Sequence, residues 1–350
     1  MTQDTKHTFI KFPSIGQFRD AIKQVQSAAK YHNVELPKVT LRGTVKLHGT
    51  NAAVVINKQG EWWCQSRERV ITPESDNAGF AAWVYSQKEQ WDDVAAAMAS
   101  SLEDHEEFIQ IYGEWCGGNI QKGAVGLQYI PKQFVVFSVR YSGLENPQES
   151  TDWETPIFWP FAAIDGVTNS FDYPVYRLEI DFNTPTLVQN KLVELTEAVE
   201  KDCPVARQIL GADETRELIG EGIVWEVADM ENAAPELHNT LRNLRFKVKG
   251  SKHSASKVKT IAAVDEEKVK SIEEFVEYAC TENRLKQGLD KLTEMGLEHS
   301  TKSTGDYIRW VMQDILKEEL STMIASGIEP KDVNGTVARK AREYFMKAVA

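Results

Sequence analysis

Lys46-Leu47-His48-Gly49-Thr50-Asn51 joins two apolar, β-branched runs, residues 39–45 before it and 52–56 after it. Both runs read as strands, so this stretch is the connection between them, and its reading decides what domain the chain builds. A lysine at such a connection, followed by a glycine that lets a ligand approach the backbone, could be a nucleophile. It could also be an ordinary turn. Lys-x-x-Gly alone is expected about once by chance in a chain of 350 residues. The rest of the chain must supply the site.

Upstream, Ser14-x-x-Gln17 has the form of a capping box. It opens an amphipathic helix with Ile15, Phe18, Ile22, Val25 and Ala29 on one stripe, ending by Asn33 and Pro37. Downstream, Gln59-Gly60 reads as a hairpin turn into a strand over 61–66, with Arg67 and Arg69 just beyond. Residues 80–101 read as one helix, followed by an acidic patch at 103–107. Residues 108–112 form a strand ending at Gly113-Glu114-Trp115-Cys116-Gly117-Gly118, and 133–140 form another. Between 141 and 183 there is no clean period. A helix lies around 188–199, and Gly220-Glu221-Gly222 leads into a strand over 223–227. A last short strand, 244–248, ends in Lys247-Val248-Lys249-Gly250. This is an α+β pattern.

After about residue 260 the periodicity turns helical. Val269, Ile272, Val276 and Ala279 recur at helical spacing, as do Ile308, Val311, Met312 and Ile315. Leu320, Met323 and Ile324 follow, then Val337, Ala341, Tyr344 and Ala348. Gly288, Gly296, Gly305 and Gly327 are placed between these segments, where helix stops belong. The expected division is 1–260, sheet-rich, and 261–350, all-helical.

Composition sets the limits. With 42% hydrophobic residues and no apolar run of the roughly 18 to 20 residues that span a bilayer, no membrane association is expected. Residues 1–8 are polar and lack a signal peptide's apolar stretch. Cys64, Cys116, Cys203 and Cys280 are scattered, which argues against zinc and disulfides and fits a reducing cytoplasm. The formal net charge of -12 disfavours nonspecific nucleic-acid binding. Yet Arg242, Arg245, Lys247, Lys249, Lys252, His253, Lys257 and Lys259 form an acid-free strip. Such a strip is either a solvated face or a phosphate-binding surface.

Acids and bases recur at strand ends: Lys46, Arg67, Glu114, Glu221, then Lys247 and Lys249. Groups so placed can converge on one cleft. Each also has a plain alternative. Glu114 and Glu221 beside glycines suit turns, and two lysines two apart on a strand suit a solvated face.

Taken in order, these residues resemble the motif set of the covalent nucleotidyltransferases, the ATP-dependent DNA and RNA ligases and the mRNA capping enzymes. Lys46 to Gly49 matches the first motif, Lys-x-x-Gly, and Arg67 a downstream arginine. Tyr112-Gly113-Glu114 with the aromatic strand carrying Phe134 and Phe137 matches the third. Glu221-Gly222-Ile223-Val224 matches the fourth, and Lys247-x-Lys249 the fifth. Within that group, Lys-x-His-Gly-Thr-Asn is the form found in the RNA ligase 2 type, and the helical end is similar too. DNA ligases and capping enzymes usually carry an OB-fold barrel there instead. One departure is Val45, where relatives often have an acidic residue that touches the adenine.

The resemblance implies a nucleotidyltransferase (ATP-grasp-like ligase) domain of antiparallel sheets with flanking helices, plus an all-helical C-terminal domain. It implies ATP, with AMP carried covalently on Lys46, and Mg²⁺ or Mn²⁺ held by Glu221. Lys247 and Lys249 stabilise charge on the phosphates as catalytic partners of Lys46. Glu114 holds the ribose, and Phe137 stacks on adenine in preference to Phe134. Val45 and Leu47, flanking the lysine, complete the nucleotide-binding set with Asn51 and Arg67. His48, Asn51 and Arg67 are also candidates for the later steps on nucleic acid. Lysine must lose its proton to attack phosphorus, and nearby cations favour that loss. AMP then passes to a 5′-phosphate end, and a 3′-OH displaces it. All steps are in-line phosphoryl transfers in which positioning and electrostatics dominate.

The expected function is therefore an ATP-dependent RNA ligase, monomeric, acting on nicked duplex RNA or bridged ends. A-form duplex is recognised by shape and 2′-OH contacts, which need little net positive charge. A DNA ligase or capping guanylyltransferase is the alternative within enzymes. A catalytically inactive RNA-binding protein on the same fold is the alternative outside them.

Overall fold

The runs on either side of Lys46 form the strands Lys38–Lys46 and Thr50–Asn57, but these do not pair with each other. Each belongs to a different sheet. The computed structural model describes residues 7–76, 78–121, 126–149, 152–154, 160–254, 269 and 271–349. Lys257, Lys259 and the boundary at 260/261 lie outside the described residues. The chain forms two compact units. One comprises Met1–Ser14, Leu47–Val175 and Asp202–Gly220, and the other Ile15–Lys46, Tyr176–Lys201 and Glu221–Ala350. The C-terminal helices thus share a unit with the sheet that ends in Lys46.

The first unit is built on a seven-stranded, mostly antiparallel sheet. Its order is Val70–Ile71, Trp62–Ser66, Thr50–Asn57, Phe108–Cys116, Gln133–Ser142 and Asp152–Glu154, with Val167–Asn169 parallel to Gln133–Ser142. Alternation along the strands sends Ala52, Val54, Ile56, Ile109, Ile111, Trp115, Phe134 and Val136 to one face. There they pack under the helices Phe80–Tyr85 and Lys88–Ala99, through Phe80, Val84, Trp91 and Val94. The single helix expected over 80–101 is two, because Ser86 Oγ donates to the Trp83 carbonyl at 2.7 Å and ends the first. On the opposite face the chain near Ile10 lies across the sheet, and Tyr112 Oη donates to the Ile10 carbonyl at 2.7 Å.

In the second unit the sheet order is Gly16–Gln17, Arg245–Lys249, Gly222–Asp229, Lys38–Lys46, Val175–Asp181. Leu41, Val45, Ile223, Trp225, Phe246 and Val248 alternate onto a buried face. Phe18, the first residue of the helix Phe18–His32, sits 5.1 Å from Phe246. That helix does not start at Ser14. Gly16 and Gln17 pair in parallel with Phe246 and Lys247, and the Gln17 backbone N–H donates to Asp20 Oδ2 at 2.7 Å. The capping box is shifted three residues because the backbone before it belongs to the sheet.

The helices Ile272–Ala279, Glu282–Glu294, Thr304–Ala325 and Pro330–Val349 follow, around Phe275, Val276, Leu285, Tyr307, Val311, Ile315, Met323, Val337 and Phe345. The region is all-helical among the described residues. Two details differ from the periodicity. Leu320 and Ile324 are 45% and 70% exposed, so only Met323 of that trio is core. Gly288 and Gly305 lie inside helices rather than between them. A Cβ on Gly288 would meet the Tyr307 ring at 2.7 Å, so this glycine makes room for a neighbouring helix. Among the described residues, no helix is long and apolar enough to cross a membrane. The strands Val167–Asn169 and Val175–Asp181 lie in the stretch without a clean period.

Candidate active site

Strand register builds the first group of site residues, all in the second unit. Gly222 pairs with Lys46 on one side and with Lys249 on the other. Two residues further along, Val224 pairs with Thr44 and Lys247, and beyond it Glu226 pairs with Arg42 and Arg245. Side chains at these positions share one face, opposite the apolar one. The face is thus a ladder of rungs, and the rung at the strand end carries two lysines with a glycine between them.

Gly222 has φ +150°, and a Cβ there would meet the Val248 carbonyl oxygen at 2.1 Å. The Val248–Lys249 backbone fills that space. Glu221 is 4% exposed, and its two oxygens accept from the two lysines: Lys46 Nζ to Oε2 and Lys249 Nζ to Oε1, each at 2.8 Å. Burial acts to lower the Lys249 pKa, but Glu221 and Glu318 outweigh it, and the ammonium is held charged. Lys249 does not stand beside Lys46 as a bare cation; a carboxylate lies between them. Lys247 Nζ donates to Glu318 Oε1, again at 2.8 Å. The turn after Lys249 is fixed by Glu200, which accepts from the Lys252 backbone N–H at 2.6 Å and from Ser251 Oγ at 3.2 Å.

The second group lies in the first unit, at one end of its sheet. Asn51 pairs with Glu114 across the strands Thr50–Asn57 and Phe108–Cys116, and Glu114 pairs with Val135 on the next. Ala52 pairs with Ser66, so Arg67 stands one residue past that pair, on the Asn51 side. Glu114 Oε1 accepts from the Gly49 backbone N–H at 3.0 Å. Gly49 is required by its neighbours: a Cβ would meet the Trp115 carbonyl oxygen at 2.4 Å and Cys116 Cβ at 2.8 Å. The glycine of Lys-x-x-Gly therefore has a packing reason beside the ligand approach expected of it. Leu47 is buried and His48 half-buried.

The two aromatic candidates separate. Phe134 is fully buried on the helix-covered face, 4.8 Å from Phe80. Phe137 is the extra residue of a β-bulge, since the register shifts between Tyr112, which pairs with Ser138, and Gly113, which pairs with Val136. It is half-buried, its ring 5.2 Å from Phe12 in an edge contact. Val45 points to the apolar face and is buried, so its side chain does not join the charged ladder.

Sequence reading missed Glu318, Glu200 and Arg284, whose Nη2 donates to Glu318 Oε2 at 3.1 Å. None carries a local motif, because each acts on a residue distant in sequence. Among the described residues, no group of three or more His, Cys, Asp or Glu could hold a metal by itself. The four cysteines are buried free thiols.

The RNA ligase family profile matches residues 40–249, more than half of the chain, a span that includes Lys46, Glu114, Glu221, Lys247 and Lys249. No curated protein matches. Among solved structures, the chain is similar to a Naegleria gruberi RNA ligase. It is 14% identical to a lysine-to-methionine mutant with AMP and Mn, covering 69% of this chain and 56% of that one, with a TM-score of 0.41. It is 13% identical to a glutamate-to-alanine mutant with ATP and Mn, covering 70% and 58%, with a TM-score of 0.43. The chain spans a little over half the length of these structures. On the extent of the profile match, the chain belongs to the RNA ligase family.

Proposed function

We propose that this chain is an ATP-dependent RNA ligase. It joins RNA 3′-OH and 5′-phosphate ends through AMP on Lys46 and an adenylylated 5′ end. The observation that carries this reading is the Lys46–Glu221–Lys249 arrangement across Gly222, inside the family match. A nucleophilic lysine, a second lysine for the phosphate charge and a metal-capable carboxylate stand within hydrogen-bond reach.

Lys46 Nζ now donates to Glu221, and attack on the α-phosphorus requires its lone pair. A cation at Glu221 fits the donor set. Mg²⁺ is bound through one or two carboxylates with the remaining ligands from phosphates and water, so a lone buried carboxylate suits it or Mn²⁺. When bound, the ion neutralises phosphate charge. Once Nζ has lost a proton to solvent, its attack forms the N–P bond, breaks the bond between the α-phosphorus and the oxygen bridging to the β-phosphate, and releases pyrophosphate. Lys249 and Lys247 offset the charge that builds on the phosphate oxygens. In the same reading Glu114 takes the ribose and Phe137 the adenine, with Val45 and Leu47 flanking the nucleotide. Asn51, Arg67 and His48 serve the nucleotide and the later steps on RNA. Residues 1–260 act as the adenylyltransferase domain and 261–350 as a helical domain that helps hold RNA.

The preferred substrate is a nick in duplex RNA or an RNA end on a bridging strand, and the protein works as a cytoplasmic monomer. Sealing of a nicked RNA duplex should exceed joining of the same strands without their complement. Equal rates on the two would remove the duplex preference.

A further inference from the structure

Lys247 stands one rung behind Lys46 and Lys249 on the charged face, two residues or about 7 Å along the strand. That is a step a triphosphate chain can bridge. Its Nζ is already engaged by Glu318, which comes from the helix Thr304–Ala325, outside the family match at 40–249. The other Glu318 oxygen accepts from Arg284 Nη2 at 3.1 Å. Arg284 is fully buried and also holds Asp314 at 2.8 Å and Glu319 at 3.4 Å. Glu319 in turn takes Arg19 at 3.1 Å and the Tyr278 hydroxyl at 2.9 Å.

The carboxylate at Lys247 is therefore fixed from behind. Burial acts to raise the Glu318 pKa, but Lys247, Arg284 and Lys249 outweigh it and hold the group well below the usual carboxylate range. It stays anionic. To a lysine, a carboxylate and a phosphate offer the same thing, anionic oxygens at hydrogen-bond distance. A polyphosphate that reaches Lys247 meets a negative charge already seated there.

We propose that Glu318 occupies the place of the β- and γ-phosphates at Lys247, so that triphosphate binding and the docking of this helix on Lys247 exclude each other. This rests on the reading of the chain as an ATP-dependent ligase. Glu318 withdraws from Lys247 when the triphosphate binds and returns once pyrophosphate has left. The helical segment then reports which nucleotide state the sheet is in. Arg284 keeps two acceptors, Asp314 and Glu319, so its charge remains paired when Glu318 moves.

Calorimetric titration of the full chain with α,β-methylene-ATP and Mg²⁺, and separately with AMP, tests this. Glu318→Gln should bind the triphosphate about tenfold more tightly, the size of one displaced charge contact of ~1.4 kcal/mol. AMP affinity should be unchanged. In a Lys247→Met background the gain should vanish. Unchanged or weaker triphosphate binding by folded Glu318→Gln overturns the inference, as does a gain that persists without Lys247. If Glu318→Gln does not fold, Glu318→Asp decides. It keeps the charge facing Arg284 but draws it back from Lys247, and should shift affinity the same way by less; no shift overturns the inference. A folded wild type that binds no triphosphate and forms no AMP adduct removes the ligase reading itself, and this inference with it.

Discussion

Lys46 and Lys249 stand on opposite sides of Gly222 and donate to opposite oxygens of one carboxylate, Glu221, each at 2.8 Å. One acid thus holds the proposed nucleophile and its proposed phosphate-binding partner together. The residue between the lysines is a glycine, and a Cβ there would meet the Val248 carbonyl oxygen at 2.1 Å.

Glu221→Gln should weaken both functions of that acid. Removing one partner of a buried ion pair costs about 3–5 kcal/mol, and Glu221 is 4% exposed with two lysines depending on it. Urea denaturation should show a loss of that order. Mg²⁺-dependent adenylylation should fall by about 100-fold or more, as when a single transition-state electrostatic group is removed. A variant of wild-type stability and rate would remove Glu221 from the site.

Gly222→Ala and Gly49→Ala should each lower stability by about 1–3 kcal/mol, the usual cost of overpacking. The new methyl would meet the Val248 carbonyl in one case and the Trp115 carbonyl in the other. If Gly49 served only the approach of a ligand, its substitution would leave the denaturation midpoint unchanged.

Phe137→Ala and Phe134→Ala should separate binding from stability. Phe134 is core, and its truncation should cost about 3–5 kcal/mol of folding free energy. Phe137 is half-buried on a bulge. Loss of stacking on a base, about 1–3 kcal/mol, should weaken ATP binding by roughly 5- to 150-fold. Titration with ATP beside denaturation curves distinguishes the two; equal ATP affinity for Phe137→Ala and wild type would remove the stacking role.

Acid should loosen the contact between the helical segment and the sheet. The Glu318 pKa is lowered in the folded state from the ordinary 4.5. The unfolded chain therefore binds the proton first, and stability falls as pH drops below that value. Above about pH 5 the contribution is complete. In denaturation at a series of acid pH values, Glu318→Gln should have a shallower slope than wild type. Identical slopes would mean that Glu318 carries no such linkage.

How much of this could be read from the chain depended on the distance over which each feature acts. Lys46 to Asn51, Glu221-Gly222 and Lys247-x-Lys249 are local patterns, and alternation alone places both lysines on one face. The C-terminal helices were legible from their stripes, although Leu320 and Ile324 turned out exposed. The sharing of Glu221 was not legible, because it follows from pairing three strands that are distant in sequence. The Glu318–Lys247 pair spans 71 residues, and nothing near Glu318 marks it among the other acids of its helix. The Ser14 capping box failed for a related reason: Gly16 and Gln17 are taken up by a strand near residue 246. Gly49 and Gly222 were visible as motif glycines, but the carbonyls that require them lie on other strands.

The central claim is that Lys46 carries AMP. Incubating the full chain with ATP labelled at the α-phosphate and Mg²⁺, then resolving it under denaturing conditions, reads this directly. Wild type should retain the label, release pyrophosphate and lose the adduct when Mg²⁺ is chelated beforehand; folded Lys46→Ala should retain none. A labelled adduct that survives Lys46→Ala, or a folded wild type that never takes up label, contradicts the account.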